Sequence, residues 1–294
     1  MGKISDALKK AEAERRRKRE AAAHHEESSE KKSQWWEIWR DRWDSSEQKL
    51  KRLQVKRKGL TQQRYVARTI DETGIDPRVI TYYDSDSYLA EQYRSLRTNL
   101  LSLQEEEGVK TCVITSALHG EGKSLTALNL AIVFSELSEK KVLLVDADLH
   151  KPSLHYYLNI QAEKGLSDLL REDIPIDAVL KETHVKNFTF LPAGTPPENP
   201  SDMLESTKMI NLIQKLKAEF DLVLFDTPPI IVLTDSGILG AMCDATFMVV
   251  KVGKTNRETV DRARRLLNNA KANVKAMILT DIEYYIPTYI YKYL

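Results

Sequence analysis

The sequence predicts an α/β fold, a mostly parallel sheet with helices on both faces, preceded by a helical N-terminal arm. Three observations carry that expectation. From about residue 110 short β-branched or Leu-rich runs alternate with helical patterns. Those runs are almost continuously apolar, as strands covered on both faces must be. One of them leads directly into a glycine-bearing loop and then a helix, which is the setting of a phosphate-binding turn.

The arm comes first. Net charge over the 294 residues is +1, but residues 1–60 hold 18 basic and 11 acidic side chains, leaving residues 61–294 with 26 and 32. The near-neutral sum is therefore a +7 arm joined to a −6 remainder. No Gly or Pro falls between Gly2 and Gly59, which favours helix. Ile4, Ala7, Leu8 and Ala11 follow helical spacing ahead of the basic run Arg15–Arg19. All four Trp lie between Trp35 and Trp43, and Trp36, Trp39 and Trp43 share one helical face. That face suits packing on the main domain or on a copy of itself, contact with a membrane interface or membrane protein, or a nucleic-acid backbone. Nucleic acid is the least expected of the three.

Residues 61–87 read as a linker, and 88–283 as the main domain. Its expected strands are 110–116, 141–146, 188–192, 221–226, 245–252 and 275–281, with helices notably over 124–138, 202–218 and 257–271. After the first strand comes Ala117-Leu118-His119-Gly120-Glu121-Gly122-Lys123-Ser124, a loop of the form A-x-x-x-x-G-K-S. Glycines there let backbone amides turn toward phosphate oxygens, and the following helix points its positive end at them. Leu118 to Ser124 are the expected ATP-binding residues, with Lys123 on the β and γ phosphates and the Ser124 hydroxyl on Mg²⁺. Two further strands end in acids, Asp146-Ala147-Asp148 and Asp226-Thr227-Pro228-Pro229. In a parallel sheet the carboxyl ends of strands share one edge, so all three acids are expected to face the loop.

Other classes are excluded. No apolar run approaches the roughly 18 to 20 residues of a membrane span, and the N-terminus lacks a secretory pattern. Cys112 and Cys243 imply neither a disulfide framework nor a metal knot, which fits a reducing cytoplasm.

With these motifs in place, the sequence resembles the bacterial tyrosine kinases of capsule and exopolysaccharide assembly, P-loop ATPases with a Walker A loop, a second D-x-D motif and a Walker B strand. Further matches are Gly165–Leu170, Leu191–Gly194 running into Asn199-Pro200-Ser201, Thr234-Asp235 and Val249–Thr255. Glu91, Arg94 and Arg97 match the E-x-x-R-x-x-R helix through which that family associates into rings, and residues 284–294 match its C-terminal tyrosine cluster. His150 departs from the family pattern, which has Arg after the D-x-D motif. Site-placement ATPases of the Min and Par type share the loop but carry a signature lysine where this chain has Leu118.

The resemblance implies an ATP- and Mg²⁺-dependent protein-tyrosine autokinase that modifies Tyr284, Tyr285, Tyr289, Tyr291 and Tyr293 of a neighbouring copy and regulates polysaccharide polymerisation and export. Lys123, Asp146, Asp148 and Asp226 are the expected catalytic residues. Ser124, Asp148 and Asp226 are the expected metal ligands, with Asp146 as proton acceptor in a role that Asp148 could exchange with it. The resemblance also implies a membrane adaptor of the polysaccharide co-polymerase type, and a cytoplasmic location peripheral to the inner membrane. Two alternatives are a nucleotide-switched membrane scaffold without kinase activity and a site-placement ATPase.

Overall fold

The computed structural model describes residues 73–281. The charged arm with its Trp face, residues 61–72 and the tyrosine cluster lie outside the described residues. The chain divides into two units at Arg64–Tyr65, and everything below concerns the second.

Among the described residues one sheet is formed by β1 (Thr111–Ser116), β2 (Val142–Asp146), β3 (Lys181–Glu182), β4 (Phe188–Leu191), β5 (Leu222–Asp226), β6 (Ala245–Lys251) and β7 (Val274–Thr280). Their order is β3-β4-β2-β5-β1-β6-β7, and every pairing is parallel except β3 with β4. The helices are α1 (Ile80–Tyr83), α2 (Tyr88–Glu107), α3 (Lys123–Ser135), α4 (Leu154–Leu158), α5 (Leu166–Arg171), α6 (Pro200–Leu204), α7 (Thr207–Glu219), α8 (Asp235–Met242) and α9 (Arg257–Asn269).

The central strands β1, β2, β5 and β6 are mostly apolar because each of their faces has its own core. Side chains alternate along a strand, so Cys112, Ile114, Leu144 and Leu224 pack with Leu100 of α2 and with Leu128 and Phe134 of α3. Val113, Leu143, Val145, Val223 and Phe225 face the other way, onto Leu166 of α5, Ile213 of α7 and Leu239 of α8. Helix starts follow local chemistry: Ser87, Ser206 and Asn256 accept from the amides of Ala90, Met209 and Thr259.

Two expectations need correction. Residues 73–87 are not linker. Ile75 and Val79 are buried in the first core, Thr81 donates from its amide and hydroxyl to Asn129 Oδ1 of α3 at 3.0 and 2.8 Å, and the Asp76 amide donates to Tyr157 O at 2.9 Å. The expected helix 202–218 is two helices, because Ser206 takes an extended conformation and its hydroxyl caps α7 anew.

Candidate active site

The site is built where β1 ends. Gly120 and Gly122 adopt φ of +75° and +93°, a region that costs any L side chain, and α3 begins at the next residue, Lys123, with no side chain capping its first turn. The amides of that turn are thus left for a ligand. His119 through Thr126 line a cleft of about 540 Å³ above the strand ends.

Register brings the acids beneath it. Asp146 and Asp226 are paired positions on β2 and β5, and Ile114 of β1 is the partner of Asp226 on its other side. Asp146 and Asp226 are fully buried, while Asp148 lies two residues past the strand end and lines the cleft. Lys123 joins them: its Nζ is 3.2 Å from Asp148 Oδ2, 3.2 Å from Ser124 Oγ and 3.6 Å from Asp226 Oδ1.

Burial works against the Lys123 charge, but Asp226 and Asp148 outweigh it and hold its pKa above the ordinary value. Burial raises Asp226 although Lys123 opposes it. Burial, and then the Asp226 charge, push Asp146 up to about 8, against the pull of the Leu154 and Ser153 amides. Neither oxygen of Asp226 has a hydrogen-bond partner among the described residues, nor has Asp146 Oδ1. Buried carboxylate oxygens without donors are costly, and a divalent cation beside Ser124 would relieve them. No three His, Cys, Asp or Glu side chains among the described residues form a metal site by themselves.

Two residues of the expected ATP-binding stretch have other duties. Glu121 is buried, and its side chain accepts from the Leu118 amide at 2.6 Å, the Lys251 amide at 3.3 Å and the Thr255 hydroxyl. It braces the loop onto the end of β6. Leu118 accordingly has its amide committed to Glu121 and does not line the cleft.

The remaining motif residues are mostly scaffold. Asp168 Oδ2 accepts from the amides of Gly165 and Thr195, and a Cβ at Gly194, where φ is +84°, would stand 2.3 Å from that oxygen. Asp235 is buried with Ser201 Oγ donating to its Oδ1 at 2.6 Å, and His150 Nε2 lies 3.2 Å from its Oδ2. His150 thus stands against an acid of α8. On α2, Arg94 meets Glu91 at 3.2 Å and Glu136 at 3.3 Å, and Arg97 meets Glu136 at 2.9 Å. Glu136 is the C-cap of α3, so the helix that starts at the cleft ends at both arginines. Sequence reasoning missed Glu136, and missed Arg78, Tyr93 and Tyr157 on the cleft wall.

The comparisons with known proteins decide the family. Residues 109–278 match the AAA domain family model. The tyrosine-protein kinase YwqD of Bacillus subtilis is 37% identical over 201 residues, covering 68% of this chain and 84% of that protein. The chain belongs to the bacterial tyrosine-kinase family. It is a protein-tyrosine kinase of P-loop fold, as the sequence led us to expect. The tyrosine-protein kinase wzc of Salmonella typhi is 34% identical over 192 residues, which cover 65% of this chain and 27% of that longer relative. Among solved structures, the kinase domain of Escherichia coli tyrosine kinase ETK superposes with a TM-score of 0.67 at 28% identity, covering 72% of this chain and 83% of that one. No helix among the described residues is long and apolar enough to cross a membrane.

Proposed function

We propose that this kinase transfers the γ-phosphoryl group of Mg–ATP to tyrosines of the 284–294 cluster on a neighbouring copy, and through that modification regulates the assembly and export of a capsular or extracellular polysaccharide. The observation that carries this reading is the convergence of Lys123, Ser124, Asp148 and Asp226 under an uncapped helix start, in a chain whose relatives are tyrosine kinases.

The α3 amides and Lys123 would hold the phosphates; Ser124 and Asp226, with Asp146 behind them, would hold Mg²⁺, which supplies charge neutralisation on the phosphoryl oxygens. Asp148 is the better placed acid for the incoming phenol. It faces the cleft, whereas Asp146 is sealed below and spends Oδ2 on the Ser153 and Leu154 amides, both at 3.0 Å. The phenol oxygen bonds to phosphorus as the bridging oxygen–phosphorus bond breaks, ADP leaves with the electron pair, and Asp148 takes the phenolic proton. A free phenol has a pKa near 10, so positioning must supply much of the rate.

A membrane adaptor of the polysaccharide co-polymerase type is the proposed activator, with residues 1–60 as the segment that engages it or the membrane surface. The chain then sits in the cytoplasm, peripheral to the inner membrane. Glu91, Arg94 and Arg97 are the proposed ring contacts.

The test is phosphotyrosine on purified protein incubated with Mg–ATP, beside Lys123→Met and a truncation after Glu283. Signal in the wild type and its loss in both variants are expected. Phosphate release without phosphotyrosine would overturn the proposal in favour of an ATPase, and no signal with either readout would leave a scaffold.

A further inference from the structure

The cleft has two ends, and the sheet order tells them apart. The loop follows β1; β6 and β7 lie to one side of that strand, β5 and β2 to the other. Lys251, Thr280 and Asp281 line the cleft on the first side, and Asp148, Tyr157 and Arg78 on the second. The Lys123–Asp148–Asp226 cluster therefore marks the second side as the reacting end, and the nucleoside must extend toward β6 and β7. What stands at the reacting end is where an acceptor enters.

Arg78 is held there in an unusual manner. Its Nε and Nη2 donate to the two oxygens of Asp76 at 2.9 and 2.7 Å, and its guanidinium lies over the Tyr157 ring, Cζ 5.0 Å from the centroid. Asp76 in turn donates its amide to Tyr157 O, so the three groups form one fixture. The side chain is still 59% exposed. An arginine meant for phosphate would keep its donor fork for the ligand. Here the Nε–Nη2 edge is occupied by a carboxylate, and beside its Nη1 edge the group offers a flat cationic face backed by an aromatic ring. Such a plane stacks on aromatic rings.

We propose that Arg78 is the stacking platform for the acceptor tyrosine, its outer face receiving a phenol ring from residues 284–294 of a second copy while Tyr157 and Asp76 fix its inner face and edge. This rests on the kinase reading above and adds the residue that selects an aromatic acceptor. The five tyrosines of that segment are an occupant of matching chemistry.

The experiment uses full-length Lys123→Met protein as an acceptor of varied concentration, size-tagged to separate it from the enzyme, with wild type, Arg78→Ala or Arg78→Lys as the kinase. The expected result is a KM for the acceptor raised roughly 3- to 10-fold by both substitutions, the range of one lost cation–π contact, with the KM for ATP unchanged. Recovery of the wild-type acceptor KM in Arg78→Lys would show that charge rather than the plane matters and would overturn the proposal. So would an unchanged acceptor KM in both variants, or a rise confined to the KM for ATP. Absence of phosphotyrosine with wild-type kinase would overturn the kinase reading itself, and this inference with it.

Discussion

Replacing Glu121 by Ala removes a buried acceptor from the phosphate loop while leaving Lys123, Ser124 and the acids Asp146, Asp148 and Asp226 in place. The Leu118 amide at 2.6 Å and the Thr255 hydroxyl lose a charged partner, and the Lys251 amide at 3.3 Å loses a weaker one. Bonds to a charged group contribute about 1.5 kcal/mol each at the low end, so the two strong ones give a loss of about 3 kcal/mol. For a domain of this size that corresponds to a fall in Tm of about 6 to 12 °C. Nucleotide affinity should weaken about tenfold because the loop is no longer pinned to β6. Thermal unfolding and titration with a fluorescent nucleotide read the two effects. Thr255→Val removes one strong bond and should cost about half as much, while the Glu121→Ala/Thr255→Val double variant should fall short of additivity, since both changes delete the same contact. A Tm within 3 °C of wild type together with unchanged nucleotide affinity would refute the bracing role.

Asp146 gives a pH dependence whose sign is fixed by the direction of its shift. Its folded pKa of about 8 lies above the ordinary 3.8, so the stability it contributes is complete at low pH and is lost as pH rises toward 8; the Tm of the nucleotide-free protein should decline from pH 5 to 8.5, and Asp146→Asn should flatten that slope. Asp148→Asn should lower kcat for tyrosine phosphorylation by about 100-fold with nucleotide affinity retained, the scale of a lost general base, and equal activity of the variant and wild type would return that role to Asp146. Glu136 is half-exposed and its ion pairs contribute little to stability, so Glu136→Ala should leave Tm within about 2 °C; freed of it, Arg94 and Arg97 should raise self-association in sedimentation velocity.

The strands were legible because strands of a parallel sheet are apolar on both faces and stand out against helical periodicity. The observed β1, β2, β4, β5 and β6 fall within about a residue of expectation. β3 was not, since a two-residue edge strand such as Lys181-Glu182 has no period to detect. The phosphate loop was legible because its glycines and Lys123 are contiguous. The Glu121 brace was invisible: in a loop nothing in the sequence says whether a carboxylate faces ligand or core, and two of its three partners, Lys251 and Thr255, lie more than a hundred residues away. Arg78 was hidden for a related reason, since it reaches the cleft only because Ile75 and Val79 anchor a segment that composition marked as linker.

The two acids of the D-x-D motif are separated by the place where the strand stops. In a continuing strand, residues two apart would point the same way and share an environment. β2 ends at Asp146, and the chain then turns so that the Lys151 amide donates to Asp148 Oδ1 while the Ser153 and Leu154 amides donate to Asp146 Oδ2. Asp146 is thereby drawn down to close the start of α4 and is left beside Asp226 with one bare oxygen, whereas Asp148 is carried up to Lys123 at the cleft floor. A buried pair of acids that share a register position repel each other until a cation arrives between or beside them. On the proposed mechanism this arrangement favours divalent-metal binding once the phosphates complete the shell, and it leaves Asp148, at the cleft, for the phenol. In the proposed mechanism one motif would supply metal binding from below and proton acceptance from above, a division that follows from a single strand terminus.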